Sequence, residues 1–215
     1  AWVFRFPKDD YARDLLAREM QTLAVVRSHV HLAVPDFTPC GGDGVRYRLL
    51  AGRPLYRHDL LRQDEATQAR IAGQLGHFLR QLHAIPPAAV SHLERDASVA
   101  DPQARWQRRY EEIKAELYPY LWTDQRDWIE QLFQPVLDGS SRFDGIEPVL
   151  IHNDLASYHL LCDAHNWSLT GVIDFGVARL GDPADDLGIL ISTYGESFVR
   201  RVAAAYPLDA ATLNR

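Results

Sequence analysis

Two short motifs, separated by a predicted β-hairpin, constrain the fold of this chain more than any other feature. The motifs are Ile151-His-Asn-Asp-Leu-Ala-Ser-Tyr-His159 and Gly171-Val-Ile-Asp-Phe-Gly176. Apolar runs at residues 160–162 and 167–173 lie between the key acids and predict two strands joined by a turn. Such a hairpin brings the residues before its first strand and after its second strand to the same end of a sheet. Asp154 and Asp174 are therefore expected to face one cleft.

Two carboxylates that converge on one cleft suit phosphoryl transfer, in which one orients a hydroxyl and the other holds Mg²⁺ on nucleotide phosphates. Asp154 follows the apolar residues 149–151, and we assign it as the catalytic base. Asp174 supplies the oxygen ligand that Mg²⁺ prefers, and Gly176 allows the backbone to turn after it. Each motif alone is more often a simple turn, so the prediction depends on the pair.

His159 lies five residues after Asp154, where a kinase-type site usually carries an asparagine that binds metal. Imidazole nitrogen is a softer donor than Mg²⁺ prefers, but a neutral histidine can bind or act through water. We predict that His159 belongs to the metal site. The alternative is a histidine that packs on the hairpin without touching a metal.

A candidate phosphate clamp lies near the start of the chain. Strand alternation puts Arg5 on the face opposite Phe4 and Phe6. From there the guanidinium can reach nucleotide phosphates and pair with Glu19 of the next helix, as in a lysine–glutamate clamp. The alternative is a solvated arginine on an edge strand.

The periodicity of the whole chain predicts a small sheet-containing part followed by a larger helical part. The first part has predicted strands at residues 2–6, 35–37 and 45–50 and a predicted helix at 11–27. The second contains the motif hairpin and predicted helices at residues 66–83, 102–118, 123–137, 183–192 and 196–206. We predict an α+β fold with two lobes: an N-lobe at residues 1–52 and a helical C-lobe at residues 53–215.

Charge and composition exclude several classes of protein. The formal net charge is −6, so a binder of nucleic acid backbones, which is normally basic, is disfavoured. No apolar run reaches the roughly 18 residues of a membrane span. Cys40 and Cys162 have no ligand-like spacing and fit reduced thiols in a cytoplasmic protein. Nothing in the sequence indicates an oligomeric state.

The segment 101–147 is acidic, with ten acidic residues against six basic ones. Its carboxylates could line a pocket for a cationic, amine-bearing substrate. The candidates for this role are Glu111, Glu112, Asp124 and Asp127. The alternative is a set of solvated helix faces with intrahelical ion pairs.

Taken together, the motifs resemble the aminoglycoside phosphotransferase family, which shares the protein-kinase-like fold. Three blocks occur in the family's order and at similar spacing. They are His152-Asn-Asp-Leu-Ala-Ser-Tyr-His159, Gly171-Val-Ile-Asp-Phe-Gly176 and Gly181-Asp-Pro-Ala-Asp-Asp-Leu187. Asp182 and Asp186 of the third block are predicted to be structural residues that brace the catalytic loop.

The resemblance implies a small-molecule O-phosphotransferase that uses ATP or GTP with Mg²⁺, and an aminoglycoside as the first acceptor to consider. It implies Asp154 as the base, Asp174 and His159 at the metal, and Arg5 with Glu19 at the phosphates. A hinge that receives the nucleotide base is implied at Arg48, Leu49, Leu50 and Ala51. Other family members phosphorylate macrolides, choline-like alcohols and other small alcohols, and the motifs do not choose among them.

Three departures from the family pattern leave a second class of function open. Position 159 is histidine, as in some macrolide kinases, and position 5 is arginine where lysine is usual. The family's glycine-containing phosphate loop has no counterpart in these residues, which begin in mid-strand at Ala1. The alternative function is therefore a non-catalytic, kinase-like nucleotide-binding module.

Overall fold

The first sheet has three antiparallel strands with one helix beside it. The structure is a computed structural model that describes residues 1–93, 101–140 and 147–206. Its first elements are β1 (Trp2–Arg5), α1 (Asp10–Val26), β2 (Thr38–Cys40) and β3 (Gly44–Arg48), with strand order β1-β3-β2. The Asp9 carboxylate accepts a hydrogen bond from the Ala12 N–H, which fixes where α1 begins.

The predicted strand at residues 35–37 is wrong, because the strand begins at Thr38. The turn at residues 41–43 contains two left-handed residues, Gly42 and Asp43, at φ 72° and 57°. A tight turn pairs the residues on either side of it, so Cys40 lies opposite Gly44. Phe37 instead packs its ring against Tyr47, with ring centroids 5.2 Å apart.

The second part of the chain contains two further small sheets. The strands β4 (Arg53–Pro54), β6 (Leu160–Cys162) and β7 (Leu169–Val172) form one sheet in the order β4-β6-β7. The strands β5 (Val149–Ile151) and β8 (Arg179–Gly181) form the other. The local pattern did not predict β4 or β8, because such short strands are defined by distant partners. The proposed boundary between residues 52 and 53 stays a prediction.

The helices of the second part largely match the predicted ones. They are α2 (Arg57–Leu61), α3 (Glu65–His83), α4 (Pro102–Glu116), α5 (Thr123–Leu137), α6 (Pro183–Tyr194) and α7 (Glu196–Ala205). Asp64, Asp101 and Asp182 each cap a helix by accepting a backbone N–H. The sequence between the predicted helix at residues 123–137 and the motif hairpin predicts a loop at residues 139–145, which lies partly outside the described residues. The helix α2 was not predicted.

One apolar core joins the two parts. It combines the end of α1 with α3, the motif hairpin, α6 and α7. Its fully enclosed members include Leu23, Val26, Phe78, Leu79, Leu160, Val172, Phe175 and Leu190. The hairpin that carries both acidic motifs is therefore packed against helices on a rigid base. Within the described ranges, no helix has both the length and the apolar character needed to cross a bilayer.

Candidate active site

The motif hairpin forms as the sequence predicts. Strands β6 and β7 pair antiparallel, with Leu160 opposite Val172. Beyond the last pair, the Ile173 N–H donates to the His159 carbonyl at 3.0 Å. The ladder therefore reaches to the residues that adjoin the two motifs, and its register sets the separation of Asp154 and Asp174.

The His159 imidazole lies between the two acids. Its Nδ1 donates to the Asp154 backbone carbonyl at 2.8 Å and lies 3.5 Å from Asp154 Oδ2. Its Nε2 lies 3.4 Å from Asp174 Oδ2. The Asp154 and Asp174 side chains stay 40% and 47% exposed, so both can meet a ligand from solvent. The predicted convergence of the two acids is confirmed. Their roles as catalytic base and metal ligand stay predictions.

This arrangement shifts the pKa values of His159 and Asp174 in opposite directions. Burial lowers the pKa of His159, but hydrogen bonds and charges from Asp174 and Asp154 outweigh it, and the net shift is upward. The hydrogen bond from His159 lowers the pKa of Asp174 to about 2, against the effect of burial. Asp174 is therefore a carboxylate at neutral pH, as an Mg²⁺ ligand must be.

The donor set fits a magnesium ion on nucleotide phosphates. Mg²⁺ is commonly held by one or two carboxylates together with substrate oxygens and water, and Asp174 is an ionised, half-exposed carboxylate. His159 could join only through a deprotonated Nε2, because its Nδ1 already donates to a carbonyl. Among the described residues, no group of three or more His, Cys, Asp or Glu side chains could hold an ion by itself.

The His159 pairing is expected to make stability depend on pH. A histidine whose folded pKa is raised stabilises the fold fully below its unfolded pKa of about 6.5, and loses this effect as pH rises through the folded value. Solvent screening at the half-exposed acids limits the contribution to about 1 kcal/mol, or about 2–4 °C in Tm. In chelator-treated protein, wild type should melt above His159→Asn at pH 6, and the gap should shrink by pH 9. A gap that widens toward pH 9 would contradict this assignment.

His152 connects the two motifs through two hydrogen bonds. It is fully buried, its Nδ1 accepts from the Asp154 N–H at 3.2 Å, and its Nε2 donates to the Ile173 carbonyl at 3.1 Å. Burial lowers the pKa of the ring, which keeps it neutral, as these two bonds require. The imidazole thus joins the backbone of Asp154 to that of Ile173, the residue before Asp174.

Asp186 at the first turn of α6 braces the loop that carries Asp154. The carboxylate is 0% exposed and accepts the N–H groups of His152 at 3.0 Å and Asn153 at 2.7 Å. It also accepts from His83 Nε2 at 3.0 Å. Burial raises the pKa of Asp186, but these hydrogen bonds and the nearby imidazoles outweigh it, and the net shift is downward. The prediction that Asp186 braces the loop is supported by these contacts.

Two residues of the motifs have left-handed backbones. Asn153 has φ 64° and Asp174 has φ 68°. Asn and Asp tolerate this region better than most residues, and such conformations are common at functional sites. The sharp turn at the second motif was expected at Gly176, but Asp174 adopts the unusual conformation. Asp186 and the hairpin hold both residues in place.

Arg5 and Glu19 form the predicted ion pair. The Arg5 guanidinium donates to Glu19 Oε2 at 2.8 Å, on the strand face away from Phe4. Glu19 is 1% exposed, and its other oxygen accepts from the Phe175 N–H at 3.2 Å. Burial raises the pKa of Glu19, although Arg5 opposes this shift. One carboxylate thus connects the clamp strand, α1 and the second motif, a link that the sequence did not predict.

The predicted hinge connects the first sheet with the second. The Leu49 N–H donates to the Ala1 carbonyl at 3.1 Å, and the Ala51 carbonyl accepts from Thr170 Oγ1 at 2.6 Å. The Arg48 guanidinium lies over the Trp2 ring at 4.5 Å. Leu50 packs near Gly171, where an added Cβ would lie 3.1 Å from Leu50 Cδ1. Binding of the nucleotide base by these residues stays a prediction.

The four acidic candidates for substrate binding lie on the exposed faces of α4 and α5. Glu112 pairs with Arg109 at 3.1 Å, and Glu111 pairs with Lys114 at 3.3 Å. These intrahelical pairs match the alternative of a solvated helix face. Asp124 is exposed in the first turn of α5, and Asp127 lines a shallow groove with Glu130. The substrate role of all four residues stays a prediction.

Comparison with known proteins agrees with this geometry. The family model described as the phosphotransferase enzyme family matches residues 1–212. The uncharacterized protein YcbJ of Bacillus subtilis (strain 168) is 24% identical over 217 residues, which cover 95% of this chain and 67% of YcbJ. Viomycin phosphotransferase of Streptomyces vinaceus is 28% identical over 169 residues, which cover 76% of this chain and 56% of the relative.

Solved structures show the same fold. The GDP and kanamycin complex of APH(2")-IIia superposes with a TM-score of 0.80 and 29% identity, covering 99% of this chain and 73% of that chain. The macrolide 2'-phosphotransferase MphH from Brachybacterium faecium gives a TM-score of 0.74 and 25% identity, covering 99% and 72%. The predicted α+β, protein-kinase-like fold is confirmed. Because the family model matches nearly its whole length, this chain belongs to the phosphotransferase enzyme family.

Proposed function

We propose that this chain transfers the γ-phosphoryl group of ATP or GTP to a hydroxyl of a small molecule, with an aminoglycoside as the first acceptor. The observation that carries the proposal is the pair of half-exposed carboxylates, Asp154 and Asp174, on either side of the His159 ring. The chain spans about two-thirds of YcbJ and just over half of viomycin phosphotransferase, at 67% and 56%. The activity of the whole protein is therefore part of the proposal.

Each side chain has a separate task in this reaction. Asp154 orients the acceptor hydroxyl and accepts its proton as the oxygen attacks in line. Arg5, held by Glu19, neutralises charge on the nucleotide phosphates. Asp174, with His159, would hold a magnesium ion, which supplies further charge neutralisation when bound. Most of the rate enhancement would come from positioning these groups on a packed hairpin.

An aminoglycoside acceptor is supported by two observations. The described residues of the segment 101–147 present carboxylates to solvent on α4 and α5, which suit a polycation. The similar structure of APH(2")-IIia is a complex with GDP and kanamycin. We also propose a cytoplasmic location, where the free thiols of Cys40 and Cys162 would stay reduced and nucleotide is abundant.

A macrolide acceptor is the second candidate. The family usually carries asparagine at the position of His159, whereas some macrolide kinases carry histidine there. The macrolide 2'-phosphotransferase MphH is among the similar structures. The two candidates need the same catalytic groups and differ only in the surface that receives the acceptor. An acceptor panel can therefore separate them.

The proposal is tested by incubating the full-length protein with Mg²⁺ and either ATP or GTP against kanamycin, viomycin, a macrolide and choline. Mass spectrometry of each acceptor should find the gain of one phosphoryl group on kanamycin, and none in a control with excess chelator. Transfer to the macrolide alone would favour the second candidate. Nucleotide binding without transfer to any acceptor would instead indicate the non-catalytic binding module.

A further inference from the structure

The hydrogen bonds that hold the Asp154 loop continue past Asp186 to the end of the last described helix. His83, the last residue of α3, places Nε2 3.0 Å from Asp186 Oδ2. Its other ring nitrogen, Nδ1, lies 2.7 Å from the hydroxyl oxygen of Tyr206, which follows α7. A tyrosine that belongs to none of the three sequence motifs is thereby connected to the catalytic loop.

The chemistry of Asp186 and His83 decides which group donates in each of these hydrogen bonds. An ionised carboxylate can only accept hydrogen bonds, so His83 Nε2 must carry the proton that faces Asp186. In a neutral imidazole Nδ1 is then an acceptor, and the Tyr206 hydroxyl donates to it. The carboxylate therefore sets the ring tautomer, and the Tyr206 hydroxyl holds the ring in the orientation in which Nε2 faces Asp186, as outer hydrogen bonds orient a functional histidine elsewhere.

Close packing fixes Tyr206 relative to His83. At Gly76 of α3, an added Cβ would lie 2.6 Å from the Val202 carbonyl oxygen and 3.2 Å from the Tyr206 backbone nitrogen. The two helices therefore meet backbone to backbone, about two turns before His83. The Tyr206 and His83 rings also meet edge to face, with centroids 5.3 Å apart.

We propose that Tyr206 is a positioning residue for phosphoryl transfer. Its hydroxyl holds the His83 ring in the orientation that donates to Asp186, and Asp186 in turn fixes the N–H groups of His152 and Asn153 beside Asp154. The expected effect on turnover rests on the proposed function. The expected effect on the loop does not, because it concerns hydrogen bonds of the protein alone.

The test compares Tyr206→Phe with Tyr194→Phe in the full chain. Tyr194 is a suitable control because its buried hydroxyl also makes a hydrogen bond, to the Leu55 carbonyl at 2.6 Å. Without ligands, Tyr206→Phe should speed backbone hydrogen exchange at His152 and Asn153 by about tenfold. After correction for overall stability, Tyr194→Phe should leave both rates near those of wild type. Equal rates in wild type and Tyr206→Phe would overturn the proposal.

A kinetic measurement separates positioning from general loss of structure. With kanamycin and GTP as probes, Tyr206→Phe should lower kcat by about tenfold and leave KM for GTP unchanged, whereas Tyr194→Phe should retain kcat. An equal fall in kcat for both variants would overturn the role assigned to Tyr206. If wild type shows no transfer to any acceptor, the proposed function fails, and the exchange rates still decide the role of Tyr206.

Discussion

Replacing Asp154 with alanine is expected to lower kcat for phosphoryl transfer by about 10²–10⁴-fold, the range for loss of a general base. Nucleotide affinity should change little, because Asp174, Arg5 and Glu19 remain and Asp154 is assigned to the acceptor side. His159 also keeps its bond to the backbone carbonyl of residue 154, which the substitution retains. The measurements are steady-state turnover with the acceptor found in the panel and a nucleotide titration followed by calorimetry.

A second aspartate on the same hairpin provides the control. Asp163 accepts the His165 N–H at 2.7 Å in the turn between β6 and β7, at the end of the hairpin away from the cleft. Asp163→Ala should therefore keep wild-type turnover. Undiminished turnover in Asp154→Ala would remove Asp154 from its assigned role. Equal losses in the two variants would mean that the hairpin, rather than one carboxylate, is needed.

Replacing Asp186 with alanine is expected to lower the free energy of unfolding by about 3–5 kcal/mol, as for a buried charged group with a lost partner. The reason is the number of donors that would lose an acceptor inside the protein. The N–H groups of His152 and Asn153 and the Nε2 of His83 all lie within 3.0 Å of this carboxylate. Each buried donor without an acceptor costs about 1–3 kcal/mol. Urea denaturation of the two proteins gives the difference directly.

The neighbouring Asp185 is the matched control for this prediction. It also precedes Leu187 in the first turn of α6, but its side chain is partly exposed and pairs with Arg105 at 3.3 Å and Arg179 at 3.4 Å. The Asp185 side chain is 14% exposed, but its two arginine partners are 30% and 33% exposed, so water can reach them once the carboxylate is removed. Asp185→Ala should therefore lower the midpoint urea concentration clearly less than Asp186→Ala does. A similar loss of stability in both variants would assign the effect to the helix start rather than to the buried carboxylate.

The sequence predicts the parts of the site that depend on local pattern. The hairpin follows from two apolar runs and the turn between them, and strand pairing then places Asp154 and Asp174 together. The Arg5–Glu19 pair follows from strand alternation and from one helix of regular periodicity. Both predictions need only the geometry of neighbouring elements, which periodicity describes well.

The parts that the sequence does not predict depend on distant contacts. The hydrogen bond from Phe175 to Glu19 joins residues 156 positions apart, and that from Tyr206 to His83 joins residues 123 positions apart. No periodicity relates such positions. The strands β4 and β8 were missed for the same reason. The error at residues 35–37 has a different origin. The strand lies directly before the turn at residues 41–43, because the residues on either side of that turn pair with each other.

The double role of Glu19 has a consequence for the proposed phosphate clamp. Swinging α1 outward would strip a carboxylate that is 1% exposed of both the Arg5 guanidinium and the Phe175 N–H. Glu19 would move with the helix, so the Arg5 ion pair would be lost and the buried Phe175 N–H would be left without this acceptor. Both losses are unfavourable, and an outward state of α1 should therefore be sparsely populated. The arginine of the proposed phosphate clamp is therefore expected to be in place before any nucleotide binds.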